Sequence, residues 1–260
     1  ESADVLLDLV SHPRPATRAA ALRSLAQVDP EKFITVLSGL DPDSDWTVRA
    51  ALAEALGFLE PEQALPRLAT MLSDRDPRVL PSVLTTLAAQ RAATTTTGLL
   101  EGLLSGDVVV RMTAARLIGE LQPGGGVAAL VDAYERGTGD ASYVARAAAL
   151  AALAKYGGAA TLDALKVGLS DPDWAVRVHA AVHLEELEGS GDVSAVIRPA
   201  PTRLPESAYA AEHLVRPSVS PHVYIETDKG TIVVELAVLD APITADNFAT
   251  LARAGYFNGL

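Results

Sequence analysis

Residues 43–57 read Asp-Ser-Asp-Trp-Thr-Val-Arg-Ala-Ala-Leu-Ala-Glu-Ala-Leu-Gly, and the chain repeats this pattern. Arg49 recurs as Arg18, Arg111, Arg146 and Arg177, with Leu80 in the slot between Arg49 and Arg111. The spacings from 18 through 49 and 80 to 111 are all 31, the next is 35, and the last is 31 again. Leu56 recurs in the same rhythm as Leu25, Leu87, Ile118, Leu153 and Leu184. The slot of Leu52 holds Ala21, Val83, Ala114, Ala149 and Ala180, so the apolar face of this helix is built from small residues. A second series, Leu6, Leu37, Leu68, Leu99, Leu130 and Leu165, runs upstream of each unit. Two helices in a period of 31 residues, repeated six times, predict an α-solenoid.

The turns carry their own chemistry. Proline can open a helix because its missing N–H is unpaired there anyway, and Pro30 and Pro61 stand at such starts. Asp41-Pro42-Asp43 makes a turn in which either Asp43 or Asp45 can cap the following helix. Asp74, Asp107, Asp140 and Asp171 are read as the same turn in later units. The four-residue insertion is assigned to Arg136-Gly137-Thr138-Gly139, within the fifth repeat, and Pro123-Gly124-Gly125-Gly126 is a flexible joint between the fourth and fifth.

Composition narrows the function. The 260-residue chain is 49% hydrophobic with only 5% aromatic residues, as an aliphatic core of stacked helix pairs requires. A net charge of −12 without any basic cluster argues against nucleic acid and against anionic membrane surfaces. The absence of Cys excludes disulfides, thiolate metal sites and a Cys nucleophile, but leaves the compartment open. No apolar run approaches the roughly 20 residues of a membrane span, so no direct membrane insertion is expected. The excess of Arg over Lys suggests a GC-rich bacterial genome.

The helical rhythm stops after Leu187. From there to His222 the chain holds Pro199, Pro201, Pro205, Pro217 and Pro221, which predicts an extended linker with one short helix over residues 206–215, docked by Tyr209 and Leu214. Residues 222–227 then alternate as a strand, Asp228-Lys229-Gly230 turns the chain, and residues 231–236 return. A last helix begins at Asp240-Ala241-Pro242, with Asp240 as its cap, and Gly255 ends it.

The repeats, on their turn aspartates and their arginines, resemble HEAT repeats, and in particular the short HEAT-like repeats of bacterial proteins and phycobilin lyases. The resemblance covers residues 2–188 and implies an Asp–Arg hydrogen-bonded ladder between neighbouring repeats, structural rather than catalytic. Leu80 breaks that ladder, which leaves packing to hold the third repeat. A phycobilin-lyase function would need chromophore-handling residues that the sequence does not offer.

The C-terminal stretch resembles the start of a cyclophilin-type peptidyl-prolyl isomerase. The carrying residues run from Ile225-Glu226-Thr227-Asp228-Lys229-Gly230 through Thr231-Ile232-Val233-Val234-Glu235-Leu236, then Ala241-Pro242 and Asn247-Phe248, to Gly255-Tyr256-Phe257-Asn258-Gly259. The family's catalytic Arg lies on a later strand, outside residues 1–260, so no catalytic, metal or cofactor-binding residue is assigned and the 260-residue chain is expected to be inactive. The resulting expectation is a HEAT-like domain over 1–189, a Pro-rich linker over 190–221 and an incomplete isomerase domain over 222–260. The function implied is a protein-binding scaffold of a cyclophilin-type isomerase, with a protein partner or client and no cofactor. The alternative is a non-catalytic subunit of a larger complex. A first residue of Glu is compatible with a removed export signal, hence an expected periplasmic or cell-envelope location in a bacterium.

Three further features have the residue types of a site. His179 and His183 stand one helical turn apart with Glu186 beyond them, a spacing that can hold a metal on one helix face. That motif is weak alone, and contact with the linker explains it as well. Trp46 and Trp174 suit either interface anchors or helix-start packing. Gly124-Gly125-Gly126 is not a phosphate loop, because no strand precedes it and no Lys-Ser/Thr follows.

Overall fold

The computed structural model describes residues 2–39, 41–92, 94–189, 196–197, 207, 214 and 220–259. These fall into two units, divided at Ala200 and Pro201. Most of the expected linker, including Tyr209, lies outside the described residues.

Among the described residues, the first unit holds six helix pairs. They are α1 (Ser2–Leu9) with α2 (Pro15–Val28), α3 (Pro30–Gly39) with α4 (Trp46–Leu56), and α5 (Pro61–Met71) with α6 (Leu80–Ala89). Next come α7 (Thr95–Gly102) with α8 (Val108–Leu121), α9 (Gly126–Arg136) with α10 (Val144–Tyr156), and α11 (Ala159–Gly168) with α12 (Trp174–Glu188). Pro15 and Pro61 sit in the first turns of α2 and α5, where a missing N–H costs no hydrogen bond. Asp45, rather than Asp43, caps α4 by accepting from the Thr47 N–H at 2.8 Å. Asp107 and Asp173 cap α8 and α12 in the same way.

Small residues let the second helices of successive pairs lie close together. A side chain at Gly119 on α8 would place its Cβ 2.7 Å from the Ala152 Cα of α10. Ala51, Ala55, Ala114, Ala149 and Ala180 are fully buried, or nearly so, alongside Leu25, Leu56, Leu87, Ile118 and Leu153. The core divides in two at α6. Val83 and Leu87 face back into one cluster with α2 and α4, whereas Leu84 and Ala88 face forward into a second with α8 and α10.

The insertion forms a 3-10 turn, Gly137–Gly139, between α9 and α10, as expected. The joint before α9 is tied down by Tyr156, whose hydroxyl donates to the Ile118 and Pro123 carbonyls at 3.3 and 3.1 Å.

In the second unit, β1 (His222–Thr227) pairs antiparallel with β2 (Gly230–Glu235), from His222 opposite Glu235 to Thr227 opposite Gly230. Gly230 adopts φ 128°, which favours glycine at the end of this tight turn. Helix α13 (Pro242–Arg253) follows. The expected Asp240 cap is not formed: Ala241 occupies the N-cap position without a side-chain bond, and Pro242 at the first helical position supplies the preset φ instead. Both faces of the hairpin expose apolar side chains, Tyr224 and Val233 on one and Ile225 and Ile232 on the other.

Candidate functional site

Each ladder arginine sits in the first turn of a second helix and uses its guanidinium in two directions. Nη1 donates to the carbonyl six residues upstream: Arg18 to His12, Arg49 to Asp43, Arg111 to Ser105, Arg146 to Asp140 and Arg177 to Asp171. That bond closes the turn within one repeat. Nε and Nη2 form a parallel edge that points to the next repeat, and a carboxylate matches such an edge with two bonds. Asp43 accepts from Arg18 at 2.7 and 2.9 Å, and Asp74 accepts from Arg49 at the same two distances. Asp171 accepts from Arg146 at 2.9 and 3.1 Å, with the two side chains 3% and 0% exposed. Arg111 reaches Asp140 through Nη2 alone, across the inserted turn.

Each acceptor is held in turn. Asp43, Asp74 and Asp171 each take the N–H two residues on, at 2.8 Å. Tyr134 donates its hydroxyl to Asp171 at 3.0 Å, and burial, then the adjacent carboxylate, raises the phenol's pKa. The Arg18 hydrogen bonds hold the Asp43 carboxyl below the usual carboxylate range. Arg78, bonded to Asp76, depresses that carboxyl to about 2.

The turn series departs from the sequence expectation at one aspartate. Asp107 is not a ladder residue, because it occupies the capping slot of Asp45 and Asp173. The ladder slot in that turn is Ser105, whose hydroxyl accepts the Asp107 N–H at 3.1 Å and so keeps the local turn. The rung that Leu80 breaks therefore lacks both of its charges. A void of about 240 Å³ lies there, lined by Leu72, Leu80, Leu84, Gly102, Ser105 and Val110 among others.

The solvent face of the second helices changes along the stack. Near the N-terminus it is polar: Arg23 bonds Glu54 at 2.9 Å, and Ser82 donates to the other Glu54 oxygen at 3.1 Å. The slots of Arg23 and Glu54 become Thr85, Arg116, Ala151 and Val182 further along. On α12 the stripe Trp174, Val178 and Val182 is 57%, 37% and 44% exposed. These three stand at i, i+4 and i+8, and so share one helix face.

Trp46 and Trp174 both open their helices, as the sequence suggests, yet their surroundings differ. Trp46 packs on the first core cluster with the Arg78 guanidinium 4.5 Å above its ring, a cation–π contact from the following repeat. Trp174 lies 5.3 Å from its own Arg177. His179 and His183 stack with ring centroids 6.5 Å apart, and His183 bonds Glu186 at 3.0 Å. Among the described residues, no group of three or more His, Cys, Asp or Glu is arranged to hold a metal. No described helix is long and apolar enough to cross a membrane.

Arg177 was named in the sequence as one more ladder residue, but its state was not legible there. Its Nε and Nη2 are buried and have no hydrogen-bond partner among the described residues.

Comparison with known proteins agrees with both resemblances. The family model for HEAT repeats matches residues 35–119 and 96–185, and that for cyclophilin type peptidyl-prolyl cis-trans isomerase/CLD matches residues 222–260. The human peptidyl-prolyl cis-trans isomerase-like 1 is 59% identical over 39 residues, which cover 15% of this chain and 24% of that protein. A Helicobacter pylori peptidyl-prolyl cis-trans isomerase is 53% identical over 36 residues, covering 14% and 22%. The chain thus spans about a quarter of the length of these curated relatives. Among solved structures, a designed armadillo repeat protein aligns with 70% of this chain and 98% of its own at 20% identity and a TM-score of 0.43.

Proposed function

Because the chain belongs to the HEAT-repeat family, we propose that its solenoid is a protein-binding scaffold within a cyclophilin-type prolyl isomerase. In this reading, repeats 1–6 hold a polypeptide. X–Pro rotation, with a barrier near 18–20 kcal/mol, belongs to the barrel whose opening hairpin and helix are residues 222–260.

The observation that carries the scaffold role is the exposed stripe of Trp174, Val178 and Val182 on α12. Apolar side chains aligned on one face mark a surface for contact rather than for solvent. A Trp at its end suits the anchor of such a contact, since aromatic anchors supply much of the energy of protein interfaces. The test uses a permanently unfolded, carboxymethylated polypeptide as client. The wild-type chain should bind it, and Val182→Asp should weaken that binding at least about tenfold, or about 1.4 kcal/mol, with an unchanged helical circular dichroism spectrum. Equal binding by the two proteins sinks this assignment of the surface.

A non-catalytic subunit role draws on a different feature. The hairpin β1–β2 has apolar residues on both faces, and a strand edge can pair with another chain. Deleting residues 222–260 separates the readings: loss of assembly supports the subunit role, whereas retained client binding supports the scaffold.

A further inference from the structure

The last rung of the ladder is built but not filled. Arg177 makes the bond every ladder arginine makes within its own repeat, Nη1 to the Asp171 carbonyl at 2.7 Å. Its Nε–Nη2 edge is the one that Arg18, Arg49 and Arg146 each give to a carboxylate of the following repeat. In Arg177 those two nitrogens are buried without an acceptor among the described residues, in a residue that is 3% exposed. A dry, unpaired guanidinium edge is costly, and a carboxylate is the group whose geometry relieves it.

Trp174 supplies the second observation. In the second repeat, a single turn of the following repeat satisfies both residues: Asp74 binds Arg49, and Arg78, four residues on, covers the Trp46 ring. The last repeat has the same pair, Trp174 and Arg177, three residues apart as Trp46 and Arg49 are. Here, among the described residues, no following cation covers the indole, which is 57% exposed and turned toward its own Arg177. Both missing groups are therefore those of one repeat turn.

We propose that the Arg177–Trp174 edge is a docking site for a partner polypeptide that presents an Asp or Glu carboxylate with an Arg or Lys four residues further on. The carboxylate takes Nε and Nη2 of Arg177, and the cation lies over Trp174. A second copy of this chain seated through its first repeat does not fit, because the two slots there hold His12 and Ala16. The inference deepens the scaffold reading and rests on it for a polypeptide partner, while naming a contact distinct from Val178 and Val182.

The probe is the peptide of residues 73–83, which carries Asp74 and Arg78, titrated into the full chain while the Arg177 Nε–H resonance is followed by NMR. Binding should shift that resonance. Arg177→Gln in the chain, or Asp74→Asn in the peptide, should weaken binding at least about tenfold, and Trp174→Ala should weaken it while leaving the response to sodium acetate intact. Peptide binding indifferent to Arg177→Gln overturns the proposal. So does a response to acetate without one to the peptide, which marks an adventitious ion only. The melting temperature gives an independent check. Arg177→Gln should lower the midpoint less than Arg146→Gln does, because it loses only the Nη1 bond to the Asp171 carbonyl, whereas Arg146→Gln loses the matching bonds and both bonds to the Asp171 carboxylate as well. If Arg177→Gln falls as far as Arg146→Gln, or if neutralising Asp192, Glu206 or Glu212 does, the chain fills its own rung and the proposal fails. Loss of unfolded-client binding in Val182→Asp, with peptide binding retained, separates failure of either idea from failure of the other.

Discussion

At the scale of single residues, the ladder shows how charge is managed inside an aliphatic stack. A buried ion pair adds little net stability, since desolvation offsets the attraction, but removing one partner strands the other. The broken rung obeys this rule: Leu80 stands where an arginine would, and Ser105 stands where its carboxylate would, so neither charge is stranded. Restoring both should therefore recover what restoring one costs. Leu80→Arg and Ser105→Asp are each expected to destabilise the chain. The double variant should show a coupling of about 1–3 kcal/mol in urea unfolding, with the void beside Leu80 giving the guanidinium room. An additive double variant would mean that the two slots do not meet. The same rung shows what can be read from sequence. The arginine series was legible because its side chains are identical at a constant spacing. The acceptor series misleads at one place, because Asp107 offers the right residue type two positions late and Ser105 keeps the turn without the charge. No spacing rule could reveal that Arg177 lacks an acceptor, since that is a property of three-dimensional surroundings.

At the scale of helices, the second helices approach closely because the contact residues are small. Gly119 is the extreme case, with Ala152 in the space a side chain would need. Intrinsic propensity favours Ala over Gly in a helix interior by about 1 kcal/mol. Here crowding should win, because the neighbour is backbone and cannot swing aside. Gly119→Ala is expected to lower stability by about 1–3 kcal/mol in urea unfolding. A rise in stability would show that α8 and α10 can separate freely. The helix boundaries themselves were largely readable from prolines, aspartates and leucine spacing. The cap at α13 was not, because Asp240 and Ala241 are both sterically acceptable before Pro242 and only the backbone decides.

At the scale of the whole molecule, charge sets the response to pH. Hydrogen bonds from Arg18 lower the Asp43 carboxyl, and Arg78 holds Asp76 at about 2, against an ordinary value of 3.8. Carboxyls depressed in the folded state lend stability above their unfolded pKa and lose it as pH falls through the folded one. A net charge of −12 at pH 7 acts the other way, since mild acid relieves self-repulsion down to the isoelectric point near 4.8. The thermal midpoint should therefore hold or rise from pH 7 to about 5 and fall below about pH 4. A midpoint that climbs steadily to pH 2 would mean that the ladder carboxylates contribute nothing.

The division at α6 has a mechanical meaning. Stacked repeats act as springs in series, and in such a chain the weakest spring takes up most of the extension. Five of the six second helices offer an arginine to the turn beyond them, whereas α6 offers Leu80, beside a void and between two separate cores. Pulled from its ends, the solenoid would therefore bend or open first between α6 and α8. The compliance that lets it conform to a bound chain is thereby placed near its middle.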